Sequence, residues 1–176
     1  MTCIVGLEHE GKVYIGADSA SVGGWEVKAT RLRKVFQRSR FLIGYTGSFR
    51  MGQLLQHQLT VTPQNGESDE EYMVCKFVEA VRTCLKDGGF AKVENNVDEG
   101  GQFIIGFNGQ LYLVDDDFQV NSMAQGFYAV GCGRGYALGA MKVLNDLPPK
   151  QRIRKALETA AYFSGAVCKP FRIKVL

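Results

Sequence analysis

The sequence lacks the features that several classes of protein require. Its 5 Cys are widely spaced and include no Cys-x-x-Cys pair, which fits neither a disulfide framework nor a zinc site. We therefore expect a cytoplasmic protein with reduced thiols and with no metal or other cofactor. No apolar run approaches the roughly 20 residues that a membrane span needs. The 2 His, His9 and His57, are isolated and have no partner pattern for metal or triad chemistry.

The sequence also lacks a large excess of either positive or negative charge. The 21 Lys+Arg and 18 Asp+Glu leave a net charge of +3, too small to indicate a nucleic-acid partner. A basic cluster between Lys28 and Arg40 alternates with apolar residues, so strand geometry would direct its charges to different faces. The composition predicts neither a nucleic-acid-binding nor a membrane-bound protein.

What is present is a pattern of short strands and amphipathic helices. The 176 residues suit one domain, 1–176, long enough to bury a full core. Alternating apolar runs and turn residues predict strands at 2–8, 12–17, 34–37, 41–46, 102–107, 111–114, 127–130 and 171–175. Helical spacing predicts helices over 49–59, from Ser68 up to Gly88, and over 136–145 and 150–163, with a polar surface loop at 92–101. The order predicts an α+β fold, with a sheet from the first four strands, a second sheet from the later ones, and helix pairs outside them.

The N-terminus offers a nucleophile and a base on one residue. Removal of Met1 is expected when the next residue is as small as Thr, and Thr2 would then carry a hydroxyl beside a free α-amine. A fixed cation such as Lys34 would depress the pKa of that amine, and a carboxylate such as Asp18 would balance a buried lysine. The alternative is that Lys34 is a surface lysine and Asp18 a turn residue.

Five segments in order carry a family resemblance. They are Thr2-Cys3-Ile4-Val5-Gly6, Gly16-Ala17-Asp18-Ser19, Arg33-Lys34-Val35, Gly44-Tyr45-Thr46-Gly47-Ser48 and Gly131-Cys132-Gly133. Together they resemble the proteasome β-subunit and HslV peptidase family of N-terminal-nucleophile hydrolases. The resemblance implies a four-layer αββα sandwich, Thr2 as nucleophile with its α-amine as base through a water, and Lys34 held by Asp18. It also implies that the Gly47 N–H donates to the oxyanion.

Two positions depart from the family pattern. Cys132 stands where a Ser near the nucleophile is usual, and a thiol is the poorer hydrogen-bond donor. Ser164 matches a family serine, whereas Ala161 replaces the acid that usually accompanies it. The resemblance therefore gives Cys132 and Ser164 catalytic positions in an incomplete arm, and predicts a lowered rate.

Matched positions also imply substrate contacts. Ser21 and Val22 would offer backbone to an extended peptide, and an apolar pocket would be shaped by Leu32, Phe36, Tyr45 and Phe49. Such a lining predicts a preference for hydrophobic or small neutral side chains. The alternative is that these are ordinary core residues.

The function implied by the resemblance is a threonine endopeptidase in a self-compartmentalised ring. Its substrate would be unfolded polypeptide, its ring would have six or seven identical subunits and could be stacked, and an ATP-dependent unfoldase would feed it. Two alternatives remain: a catalytically weak or inactive ring or scaffold subunit, and an amidohydrolase acting on a small amide.

Overall fold

The computed structural model describes residues 2–23, 26–29, 31–90, 92–94 and 97–176. Its strands are β1 (Cys3–His9), β2 (Lys12–Ala17), β3 (Ala20–Gly23), β4 (Glu26–Ala29), β5 (Val35–Arg38), β6 (Phe41–Tyr45), β7 (Lys92–Glu94), β8 (Val97–Glu99), β9 (Phe103–Phe107), β10 (Gln110–Val114), β11 (Val120–Ser122), β12 (Phe127–Gly131) and β13 (Arg172–Val175). Its helices are α1 (Phe49–His57), α2 (Asp69–Tyr72), α3 (Val78–Asp87), α4 (Arg134–Val143) and α5 (Pro149–Phe163), with a π-helical turn, Met73–Phe77, joining α2 to α3.

Two antiparallel sheets form the centre of the fold. The first has the order β12-β1-β2-β13 and the second the order β11-β10-β9-β6-β5. The grouping of strands predicted from the sequence is wrong, because β6, which carries β5 on its other side, pairs with β9, while β12 pairs with β1. Strand pairing over such separations leaves no local signal, so the order along the chain was a poor guide to it.

Alternation along the strands divides the core into three apolar layers. In β1, Cys3, Val5 and Leu7 pack against α4 and α5, whereas Ile4 packs between the sheets. In β6, Phe41, Ile43 and Tyr45 face the other helical side, and Leu42 lies between the sheets. The result is the predicted four-layer αββα sandwich, with α1 to α3 on one side and α4 and α5 on the other.

The helix starts predicted at 49 and at Ser68 are confirmed, whereas α4 and α5 begin two residues and one residue earlier than predicted. Ser48 caps α1 by accepting from the Arg50 N–H at 3.1 Å, and Ser68 caps α2 by accepting from the Glu71 N–H at 3.2 Å. The turn at Asn108-Gly109, between β9 and β10, has φ values of 47° and 80°, which suit its residue types.

Two hairpins were not predicted. Strand β3 pairs with β4, and the polar stretch predicted as a loop contains β7 paired with β8. Both are short and polar, so the apolar alternation that marks a strand is weak there. Among the described residues, no helix is both long and apolar enough to cross a bilayer.

Candidate active site

The start of β1 and the end of β2 lie next to each other at one edge of the first sheet. Strand β1 begins at Cys3 and β2 ends at Ala17, and their antiparallel register sets Ile4 opposite Ala17. The residues just outside the strands, Thr2 and Asp18, therefore come to the same edge. Both are buried, with exposures of 3% and 1%.

Asp18 is held by four hydrogen bonds. Its Oδ1 accepts from the Cys3 N–H at 3.0 Å and from Lys34 Nζ at 2.8 Å. Its Oδ2 accepts from the Ala20 N–H at 2.9 Å and the Cys168 N–H at 3.4 Å. The carboxylate is saturated by donors, three of them backbone amides whose positions are fixed by the fold.

Lys34 reaches this carboxylate from the second sheet. It directly precedes β5, and its carbonyl accepts from the Tyr45 N–H at 3.1 Å, which ties it to the end of β6. Its side chain is 2% exposed and that of Asp18 is 0% exposed. The alternative of a surface lysine and a turn aspartate is therefore wrong, because the two side chains form a desolvated ion pair. Removing one partner of such a buried pair strongly destabilises the folded protein.

The turn after β12 completes the surroundings of Thr2. The Thr2 N–H donates to Cys132 Sγ at 3.3 Å, and the Cys132 thiol and the Gly133 N–H donate to the Thr2 carbonyl at 3.3 Å and 3.4 Å. Gly131 has φ +92°, and a Cβ there would overlap the Thr2 carbonyl oxygen. Glycine at 131 is therefore required twice, by conformation and by close approach.

The thiol of Cys3, the residue after Thr2, is unreactive at neutral pH. Burial first, then the charges of Asp18 and Cys132, raise its pKa to about 12, against a smaller lowering by Lys34. Cys3 therefore stays a neutral thiol at physiological pH, and Cys132, which is exposed, is the accessible thiol beside Thr2.

Gly47 lies between β6 and the start of α1. Its φ of +89° suits glycine, and among the described residues no heavy atom stands within 4 Å of where a Cβ would be. The neighbouring Thr46 N–H donates to the Gln102 carbonyl at 3.0 Å, which fixes this corner of the second sheet. The open side of Gly47 leaves room for a ligand backbone.

Ser164 ends α5. Its N–H donates to the Ala160 carbonyl at 3.0 Å, and its hydroxyl accepts from the Ala166 N–H at 3.4 Å. The turn that it begins leads to Cys168, whose N–H reaches Asp18. The described bonds of Ser164 thus shape the segment that supports the buried pair.

The residues predicted to contact substrate occupy different environments. Ser21 and Val22 lie in β3, opposite Lys28 and Val27 of β4. Leu32 is 37% exposed, whereas Tyr45 is 3% exposed. Burial raises the pKa of Tyr45 to about 12, and its ring presses on the backbone of Gly52 in α1. Phe49 is partly buried against the same apolar layer.

One contributor to the site carried no sequence signal. Cys168 acts through its backbone N–H, 150 residues from Asp18 along the chain. A backbone donor leaves no mark in residue type, so only the fold reveals it. Within the described part of the chain, no group of three or more His, Cys, Asp or Glu side chains is arranged to hold a metal ion.

Solved structures with the same architecture are known, although no protein-family model matches the chain. BPH from Thiobacillus denitrificans superposes with a TM-score of 0.82 at 20% identity, covering 99% of this chain and 97% of that one. A second structure of BPH is a complex with epoxomicin. Eukaryotic HslV from Trypanosoma brucei gives a TM-score of 0.70 at 18% identity over 99% of both chains. Anbu, the ancestral β-subunit from Yersinia bercovieri, gives 0.70 at 16% identity over 99% of this chain and 81% of that one.

These likenesses define the fold. The chain has the αββα sandwich shared by the proteasome-like N-terminal-nucleophile hydrolases BPH, HslV and Anbu, and the resemblance seen in the sequence is confirmed at that level.

Proposed function

We propose that the chain is a threonine-type peptidase subunit that cleaves unfolded polypeptides once Met1 has been removed. The observation that carries the proposal is the desolvated Asp18–Lys34 pair, 2.8 Å between Oδ1 and Nζ, at the strand edge where Thr2 is buried. A buried lysine costs folding energy, and here the same Asp18 oxygen also fixes the Cys3 N–H directly after Thr2.

In the proposed reaction, the Thr2 hydroxyl attacks the carbonyl carbon of the scissile bond. Its proton passes through a water to the α-amine and then to the leaving amine, which departs as the C–N bond breaks. The resulting ester between Thr2 and the acyl group is hydrolysed by water, which restores the hydroxyl. The Lys34 charge favours the neutral, basic form of the amine, and Asp18 keeps Lys34 in position.

The Gly47 N–H is proposed to stabilise the oxyanion. Its open side and its place at a strand end allow a tetrahedral oxygen to approach, and a preorganised donor of this kind is worth about 3 kcal/mol in the barrier. Cys132 is proposed to orient the Thr2 amine, because its Sγ already accepts from the Thr2 nitrogen at 3.3 Å. Ser164 is proposed to support the site from the end of α5.

Substrate is proposed to lie extended along β3, with its backbone beside Ser21 and Val22. Leu32, with its exposed side chain, would meet the residue before the cleaved bond. The rings of Tyr45 and Phe49 would limit the depth of that pocket, since both are packed against the core. This supports a preference for small neutral or modest hydrophobic side chains.

The subunit is proposed to work in a homo-oligomeric ring of six or seven copies in the cytoplasm, supplied by an ATP-dependent unfoldase. The likeness to HslV and Anbu supports the ring, and five free cysteines support a reducing compartment. The second candidate is a weak or inactive ring or scaffold subunit, favoured by Cys132 and Ala161 at positions where the family pattern has Ser and an acid.

The test is hydrolysis of an unfolded casein-like polypeptide by protein whose N-terminus is Thr2, produced by cleavage of an N-terminal fusion. Hydrolysis that is retained in Thr2→Ser and lost in Thr2→Ala, at unchanged particle mass, is expected. Equal rates in the wild type and Thr2→Ala would overturn the peptidase and leave the scaffold. Electron microscopy of the same samples counts the subunits in the ring.

A further inference from the structure

A small cavity lies beside the tip of the β5–β6 hairpin. Its volume is about 110 Å³, and its apolar lining comes from Phe41, Leu59, Val61, Pro63 and Tyr72. Phe41, Leu59 and Tyr72 are 3%, 2% and 2% exposed, so this lining is part of the folded core. Arg38 and Arg40 complete the lining. This feature is called the hairpin cavity below.

The segment 58–63 forms one wall of the hairpin cavity through its odd-numbered residues. Its even-numbered residues line a separate groove instead: Gln58, Thr60 and Thr62. Two residues of the cavity hold this segment in place. Arg38 Nε donates to the Leu59 carbonyl at 2.9 Å, and the Tyr72 hydroxyl donates to the Thr62 carbonyl at 2.8 Å. The alternation of apolar and polar residues therefore matches the two sides of the segment.

Both guanidinium groups are anchored and still have N–H groups available. Arg38 uses its Nε for the segment just described, which leaves both Nη groups for a ligand. Arg40 Nη2 donates to Asn108 Oδ1 at 3.1 Å, and the guanidinium carbon lies 5.1 Å from the centroid of the Phe107 ring. The two arginines therefore present preorganised donors at one small cavity.

The positive charge of these two arginines is not balanced locally. Within the described part of the chain, neither guanidinium forms an ion pair with an Asp or Glu. Asp69 is linked to Arg40 only through Asn108, whose Nδ2 donates to Asp69 Oδ1 at 3.0 Å. Glu67 is bonded to Lys76 Nζ at 2.6 Å. The hairpin cavity therefore has an apolar lining and an excess of positive charge.

We propose that the hairpin cavity binds a small carboxylic acid with a branched apolar body. The carboxylate would accept from Arg38 and Arg40, because the guanidinium fork matches the geometry of a carboxylate. The body would pack against Leu59 and Val61. The site goes beyond the proposed peptidase function, because it uses none of the residues assigned to the active site.

The size of the hairpin cavity sets the size of the ligand. An apolar cavity of about 150 Å³ holds one benzene molecule. The hairpin cavity, at about 110 Å³, therefore takes a body of about four or five carbons. Isovalerate, a carboxylate on an isobutyl group, has this size and is the probe for the test.

The test is methyl NMR of the full chain, following the Leu59 and Val61 methyl resonances during titration with isovalerate. Two matched probes separate the two halves of the ligand: isobutylamine keeps the body and reverses the charge, and acetate keeps the carboxylate without the body. We expect saturable shifts with isovalerate, and binding at least about tenfold weaker for either matched probe.

Three variants locate the binding. Arg38→Met and Arg40→Met should each weaken isovalerate binding at least about tenfold. Arg154→Met removes the same charge from the exposed side of α5 and should leave the binding unchanged. Because Arg38 also holds the segment 58–63, Val61→Phe is added: it keeps both arginines, fills the cavity and should abolish the Leu59 shifts.

Three results would each overturn the site. They are no saturable shift with isovalerate, equal binding of isobutylamine, and unchanged binding in Arg40→Met or Val61→Phe. The readout is binding alone, so an inactive peptidase would not affect it.

Discussion

The buried ion pair yields the sharpest prediction, because its two halves are not equivalent. Replacing Lys34 by Met leaves Asp18 with three backbone donors, from Cys3, Ala20 and Cys168. These three N–H donors still stabilise the ionised form of the carboxylate. Replacing Asp18 by Ala instead removes the acceptor of those three amides and the carboxylate that balances the buried Lys34 charge. Asp18→Ala should therefore destabilise the fold more than Lys34→Met.

The magnitudes follow from the burial of the pair. Removal of one partner of a buried pair costs about 3–5 kcal/mol, which we assign to Asp18→Ala. Loss of one charge-assisted hydrogen bond costs about 1–3 kcal/mol, which we assign to Lys34→Met. At 2–4 °C per kcal/mol for a domain of this size, Asp18→Ala should lower Tm by about 6–20 °C.

The assay is urea unfolding followed by circular dichroism at one fixed protein concentration, since assembly adds to stability. Lys155→Met is the control, because its partner Glu158 lies on the surface and the two side chains are 60% and 33% exposed. It should change stability by less than about 1 kcal/mol. Equal costs for Asp18→Ala and Lys34→Met, or a larger cost for Lys34→Met, would refute the assignment of the three amides to Asp18.

Three further predictions concern separate features. Gly131→Ala should destabilise the fold by about 1–3 kcal/mol, because Gly131 has a φ of +92° and a Cβ there would overlap the Thr2 carbonyl. Gly165→Ala is the control and should be neutral in the same unfolding assay, because a Cβ at Gly165 would lie in open space. Maleimide at neutral pH should label the exposed Cys75 and Cys132 but not Cys3, whose pKa is about 12; peptide mapping that finds Cys3 labelled in folded protein would contradict its burial. Hydrogen bonding to Lys76 lowers the pKa of Glu67 to about 2, so stability from this pair is present above the ordinary glutamate pKa and lost as pH falls toward 2. An NMR titration should find the Glu67 pKa near 2 in the wild type and raised in Lys76→Met, where the backbone N–H of Asn65 still donates to the carboxylate; the same pKa in both proteins would refute the pairing.

Local patterns allowed the prediction of many elements but not of their pairing. The helix starts after Ser48 and at Ser68 are set by neighbouring residues, so they could be predicted from the sequence. The pairing of β12 with β1 depends on contacts between residues about 120 or more positions apart in the sequence, and on the apolar layer that the two strands share. The hairpin of β3 and β4 escaped because short polar strands lack apolar alternation.

The candidate site divides in the same way. Thr2, Asp18 and Lys34 were candidates from their side-chain chemistry and took their roles from the family resemblance. The structure brings Asp18 and Lys34 into contact and Thr2 to the same edge. The roles of Cys168 and Gly131 could not be predicted. Cys168 acts through its backbone N–H, and Gly131 acts through the absence of a Cβ. Such contributions depend on where the backbone passes, which residue type alone does not encode.

The central claim is that Thr2 is a nucleophile whose own amine is its base. The most direct measurement is the intact and N-terminal peptide mass of protein beginning at Thr2, before and after incubation with a peptide epoxyketone. This reagent closes a ring on an N-terminal threonine that has both its amine and its hydroxyl free. The account predicts one stoichiometric adduct on Thr2, absent when Met1 is retained and absent in Thr2→Ala. Protein with a free Thr2 that gains no adduct, or gains it on Cys132, would contradict the account.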